Sequence, residues 1–78
     1  MSVAGFYVTA VDGARTFWMR GPFASHEAAL AAVDETFRTA SGLDPRAHFM
    51  GWGTARLELP DGRVLPGGRM NRVFQETA

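Results

Sequence analysis

Residues Gly21 to Ser41 (GPFASHEAALAAVDETFRTAS) are the only stretch of the chain in which a helix start signal, an apolar period and a stop signal coincide. Ser25 stands where an N-cap belongs, with a hydroxyl able to accept from a free first-turn amide. Glu27 follows in the first turn, where the helix dipole favours negative charge. Leu30, Val33, Phe37 and Ala40, together with Ala29, fall within an arc of about 100°, the apolar stripe of a core-facing helix. Asp34 and Arg38 form an i,i+4 pair beside it. Gly42 suits the C′ position, and Pro45 forbids continuation. One helix over about Ser25–Ser41 is expected, and the rest of the chain must supply whatever its stripe packs against.

The flanking segments have strand character. Gly5 to Val11 (GFYVTAV) is aromatic and β-branched, with Phe6, Val8 and Ala10 on one face and Tyr7, Thr9 and Val11 on the other. Asp12-Gly13 is a strong hairpin signal. Arg15 to Arg20 then returns, with Phe17 and Met19 on one face and Trp18 opposite, and Gly21-Pro22 ends the strand. Asp44-Pro45-Arg46 is a turn. His48 to Leu59 alternates with period two, so Phe49, Gly51, Gly53, Ala55, Leu57 and Leu59 share a face, preferred here as the helix-facing one. The two glycines then allow a close approach or mark a bulge. His48, Met50, Trp52, Thr54, Arg56 and Glu58 point the other way. After a turn at Pro60-Asp61-Gly62-Arg63, Val64-Leu65 makes a short fourth strand stopped by Pro66. The expected fold class is α+β, a two-layer ββαββ arrangement with an antiparallel sheet and a single helix on one face.

A 78-residue chain makes one domain, 1–78, with residues 1–4 and 69–78 expected as flexible tails. A chain of this size buries only about 60% of the surface its unfolded form exposes, so its core is small and self-association is a live expectation. With no cysteine there is no disulfide framework and no thiolate metal site. No apolar run approaches the roughly 20 residues that span a bilayer, and the N-terminus lacks the basic and apolar regions of a secretory signal. A cytoplasmic protein without membrane contact is the expectation. Eight basic residues, all Arg, balance eight acidic ones, which disfavours a generic nucleic-acid binder. The absence of Lys fits either interface chemistry or the codon bias of a GC-rich genome.

No motif specifies a chemistry. None of Ser2, Ser25 or Ser41 lies in a nucleophile-elbow pattern. The carboxylates are scattered over turns and the helix surface, so neither an enzyme nor a cofactor is expected. His26, Asp44 and His48 match no ligand spacing, and ordinary structural positions account for both histidines. Gly51-Trp52-Gly53-Thr54-Ala55-Arg56 opens like a dinucleotide fingerprint, but Arg56 replaces the third glycine and no helix follows.

What remains is the sheet face turned from the helix, where Tyr7, Val11, Trp18, Met50 and Trp52 gather. A contiguous apolar patch on a small domain marks an interface. Two alternatives stand beside it: a register one residue off exchanges the faces, or the C-terminal tail covers the patch. Nucleic-acid binding is the other reading, since aromatics on an open sheet stack bases. Five arginines against Glu58 and Asp61 between Arg46 and Arg72 favour it locally. The order of strands and helix is wrong for an RNA-recognition module.

The pattern Gly21-Pro22-Phe23-x-Ser25-His26-Glu27-Ala28-Ala29-Leu30, then Val33-Asp34, Arg38, Asp44-Pro45-Arg46-Ala47-His48-Phe49 and Gly53-Thr54-Ala55-Arg56, resembles a group of short proteins carried on bacterial phages and plasmids. In size and compactness the chain is similar to anti-CRISPR proteins, a prominent class among them. That resemblance implies a stoichiometric inhibitor that occupies a CRISPR-Cas effector subunit and blocks target DNA or nuclease recruitment. Tyr7, Trp18, Met50 and Trp52 would be its apolar anchors and Arg20 and Arg56 its polar contacts. The same face could instead form a homodimer.

Overall fold

The computed structural model describes residues 2–77, and the side chains of residues 2–74 among them. Its elements are β1 (Ser2–Asp12), β2 (Arg15–Phe23), α1 (His26–Ala31), α2 (Val33–Leu43), a 3-10 helix (Pro45–Phe49), β3 (Gly51–Pro60) and α3 (Asn71–Thr77). The three strands form one antiparallel sheet in the order β2-β1-β3. The α+β class and the antiparallel sheet are as expected. The fourth strand is not formed, because residues 63–68 run without regular structure. The molecule measures 19 Å across its thinnest dimension, which fits a sheet and one helical layer about 10 Å apart.

The β1–β2 hairpin closes through Gly13-Ala14, with Asp12 opposite Arg15. Gly13 takes φ 61 and Ala14 has no positive φ, the pattern of a II′ turn whose twist matches the strands. Strand β2 continues past Gly21-Pro22 as far as Phe23, which pairs with Phe6. It does so by two register shifts against β1, at Met19 and at Gly21-Pro22. The first lets Met19 reach the helical layer beside Arg20.

The expected single helix is two. Ser25 caps α1, accepting from the Ala28 amide at 3.1 Å, a bond worth about 1 kcal/mol. The helix breaks at Ala32. Its carbonyl receives both the Thr36 amide (3.1 Å) and the Thr36 hydroxyl (2.7 Å), and a hydroxyl bonded back four residues bends a helix. Asp34 and Arg38 pair at 3.1 Å on the exposed side. Gly42 lies inside α2, which ends at Leu43, and Asp44 then caps the 3-10 helix by accepting from the Arg46 amide.

The helical stripe is also displaced. Ala29, Thr36 and Ala40 are the buried positions, while Leu30 is 56% exposed. These three small side chains face inward, with α1 packed over β1 and α2 over β3 and the 3-10 helix, and the large residues Leu30, Val33 and Phe37 stand along the flank.

Strand β3 enters with the opposite facing to the expected one. The 3-10 helix uses Pro45–Phe49, and β3 begins only at Gly51. Trp52 then turns to the helices: its ring meets Phe37 edge-on at 5.8 Å and its Nε1 donates to the Ala47 carbonyl at 2.8 Å. Thr54, two residues on, meets the His26 ring nitrogen at 3.1 Å. Fixing Trp52 fixes the parity of the whole strand, so Gly51, Gly53, Ala55, Leu57 and Leu59 lie on the far face; Phe49 ends the 3-10 helix and is 87% exposed. A Cβ at Gly53 would meet nothing within 4 Å, so no close helix approach explains that glycine.

The far face is covered by the chain's own C-terminal segment. The Tyr7 hydroxyl donates to the Pro66 carbonyl at 2.6 Å, and Leu65 lies over Gly5. From there the chain rounds the outer edge of β2. Gly68, Arg69 and Met70 donate their amides to Gly21, Trp18 and Met19 carbonyls at 3.0, 2.9 and 2.7 Å. Asn71 accepts from the Gly21 amide at 2.9 Å and donates to the Gly21 carbonyl. The C-terminal segment approaches β2 so closely here that a Cβ on Gly68 would lie 2.5 Å from the Arg20 Cα. Met70 ends on the helical side, packed with Ala40, Ala47, Met19, Trp52 and Phe74. Of the expected tails, Ser2 already belongs to β1 and residues 69–74 are held in this clasp; Met1 and Ala78 lie outside the described residues.

Candidate functional site

The six residues picked out in the sequence do not form one site. Tyr7 is completely buried and meets Trp18 edge-on at 5.1 Å beneath the C-terminal segment, which makes this pair the core of the far face. Arg20 is half-buried: its guanidinium lies 3.7 Å from the Phe74 ring centroid, and it pairs with the exposed Glu35 at 3.6 Å. Arg56 is exposed on β3 and pairs with Glu58 at 3.2 Å. Glu58 also accepts from the Ser2 hydroxyl, and these two contacts hold its carboxyl below the usual range. Met50 and Trp52 do come together, but on the helical side.

There they line a groove of about 460 Å³ with Leu30, Val33, Phe37, His48 and Asp34. The groove lies between the flank of α1–α2 and β3, and each wall follows from local rules. Small residues at 29, 36 and 40 draw the helices down and leave Leu30, Val33 and Phe37 on the rim. The capped 3-10 helix brings His48 over Phe37, with ring centroids 5.5 Å apart. The Trp52–Ala47 hydrogen bond holds the indole as the floor. Among the described residues, the titratable groups that line it are Asp34 and His48.

Met50 also lines a second cavity of about 400 Å³ between the hairpin, the 3-10 helix and the clasp. Its floor is Phe17, Met19, Leu43 and Met70, and Arg15, Arg46 and Arg69 stand around it. Arg46 is engaged by Asp44 through two side-chain bonds, Nε at 3.2 Å and Nη2 at 3.0 Å. These bonds, with the Arg46 amide, hold the Asp44 carboxyl below the ordinary carboxylate range. Arg15 and Arg69 lie 5.4 and 5.0 Å from the Phe17 ring centroid, and among the described residues neither is in an ion pair.

Sequence reasoning missed Leu30, Phe37 and His48 as site residues because the first two fit a core stripe. The distinguishing signal was the parallel stripe of small residues, Ala29, Thr36 and Ala40, which can approach a sheet more closely than the large ones. His26, Asp44 and His48 do not converge, and no group of three or more metal-ligating side chains occurs among the described residues. No helix among them is long and apolar enough to cross a membrane. Comparison of the chain with family models, curated proteins and solved structures finds no match.

Proposed function

We propose that the protein works by stoichiometric, non-catalytic binding of another protein, with the groove between α1–α2 and β3 as its contact surface. One observation carries this reading: large apolar side chains are left standing around a groove in a domain with few to spare. Leu30 is 56% exposed, and Val33, Phe37, Met50 and Trp52 continue the same surface. Contiguous apolar surface of this kind marks interfaces, and Trp, Phe and Met are enriched there. Asp34 and His48 alone provide no acid–base constellation of the usual kind, which supports binding over turnover. The likeness of the central sequence pattern to short phage and plasmid proteins makes a CRISPR-Cas effector complex in the bacterial cytoplasm the partner to test first, with inhibition by occupancy.

The test is co-elution of the purified chain with such a complex, comparing wild type with Leu30→Asp. Leu30 is exposed enough to change without disturbing the core. A charge in the centre of an apolar contact should weaken binding by at least about 2 kcal/mol, roughly thirtyfold. Undiminished binding by a folded Leu30→Asp protein sinks the groove as the contact. A gel shift with short DNA or RNA that falls steeply with salt would instead favour a nucleic-acid ligand at the Arg15–Phe17–Arg69 cavity.

A further inference from the structure

The two edges of the sheet are finished differently. Along β2 the clasp occupies the outer carbonyls of Trp18, Met19 and Gly21 and, through Asn71, the Gly21 amide. Along β3 no hydrogen bond from the described residues reaches the outer peptide groups, apart from the turn bond of Arg63 to the Pro60 carbonyl. β3 is long for an edge strand, at ten residues. It pairs with β1 without a register shift from Gly51 to Pro60, so no bulge twists it away. It carries no Lys, and its one Pro is the last residue. Of the usual devices that blunt an exposed edge, a Lys, an internal Pro and a bulge are missing, and the two charges present, Arg56 and Glu58, are of opposite sign.

The side chains on this edge are complementary to themselves. Arg56 and Glu58 lie two residues apart on the same face, with Leu57 between them on the other. We propose that β3 pairs antiparallel with β3 of a second copy about a two-fold axis through Leu57, joining the two sheets into one. Arg56 then lies opposite Glu58 of the second copy, and Glu58 opposite Arg56 of the second copy. On the far face Leu57 meets Leu57 of the second copy and Ala55 meets Leu59. The neighbouring registers are disfavoured. A two-fold through Arg56 sets Arg56 against itself, and one through Glu58 sets Glu58 against itself, and like charges directly opposite destabilise a pair. The pairing spans residues 54–60 of each copy and ends where Pro60 begins its turn. It adds about six backbone hydrogen bonds by the alternation of an antiparallel ladder.

Sedimentation equilibrium on the full chain, from micromolar to millimolar concentration, tests this, with far-UV circular dichroism to verify the fold of each variant. The wild type should show a monomer–dimer equilibrium. Arg56→Glu and Glu58→Arg should each weaken it about tenfold, since the symmetry turns both charge pairs repulsive at once. The double variant, with the charges exchanged, should recover the wild-type constant. Leu57→Lys should abolish the dimer while leaving the monomer folded. A wild type that stays monomeric throughout the range overturns the proposal. So does a dimer insensitive to the single substitutions, or a folded double variant that fails to recover. Leu30→Asp, which tests the groove, should leave the dimer constant unchanged, so the two readings fail separately.

Discussion

One face of the sheet is covered by helices and the other by a length of chain without regular structure, and the two coverings rely on different physics. On the helical face, the small buried side chains Ala29, Thr36 and Ala40 let α1 settle on β1 and α2 on β3, and much of the large apolar surface stays at the flank. On the far face, residues 64–71 hold themselves down through backbone hydrogen bonds to β2 and the Tyr7–Pro66 bond, and Tyr7 is sealed completely. The helical covering relies on packing, so it tolerates a change that improves the helix. The extended covering relies on close backbone approach, so it tolerates almost none. The face that looks barest in the sequence is the sealed one, and the surface left for a partner lies on the side that has the helices.

Two glycines separate these mechanisms. Gly68→Ala should have the largest effect. Its Cβ would lie 2.5 Å from the Arg20 Cα and 2.6 Å from the Arg20 nitrogen, and neither backbone atom can rotate aside. The clasp must open or shift, at a cost of about 3 kcal/mol in urea unfolding. A loss under about 0.5 kcal/mol would mean that the clasp does not hold the far face. Gly42→Ala should act in the opposite direction and more weakly. Gly42 lies within α2 with open space around its Cβ position and no positive φ, so Ala should stabilise the protein by about 0.5–1 kcal/mol. Destabilisation there would show that α2 does not extend through Gly42.

Much of the fold was legible because local rules were strong. Asp12-Gly13 set the hairpin, Ser25 the helix start, and alternation in β1 placed Phe6, Val8 and Ala10 under the helices. The failures came where local signals were ambiguous and a distant contact decided. Strand β3 alternates equally well in either facing, and its parity is set by Trp52 reaching Ala47 and Phe37 across a 3-10 helix that the sequence does not announce. The helix offered two adjacent stripes, and closeness to the sheet selected the smaller residues. Residues 64–71 carry no periodicity at all, because their order comes from β2. Of the six expected site residues, Met50 and Trp52 therefore belong to the groove, Arg56 to the open edge, Tyr7 to the interior, and the half-buried Trp18 and Arg20 to contacts with the rest of the chain.

Tyr7 is the only tyrosine in the chain, which makes the sealing of the far face directly measurable. Burial pushes its phenol above the ordinary value. A spectrophotometric alkaline titration of the folded protein should show ionisation above the pKa of about 10 typical of an exposed phenol. Because the folded-state pKa is raised, the stability linked to Tyr7 is complete below about pH 10 and declines as pH rises from there towards the folded-state value. Ionisation should therefore coincide with unfolding as followed by circular dichroism. A reversible titration near pH 10, with the fold intact, would contradict the account, because it would mean that Tyr7 faces solvent and that the far face is open after all.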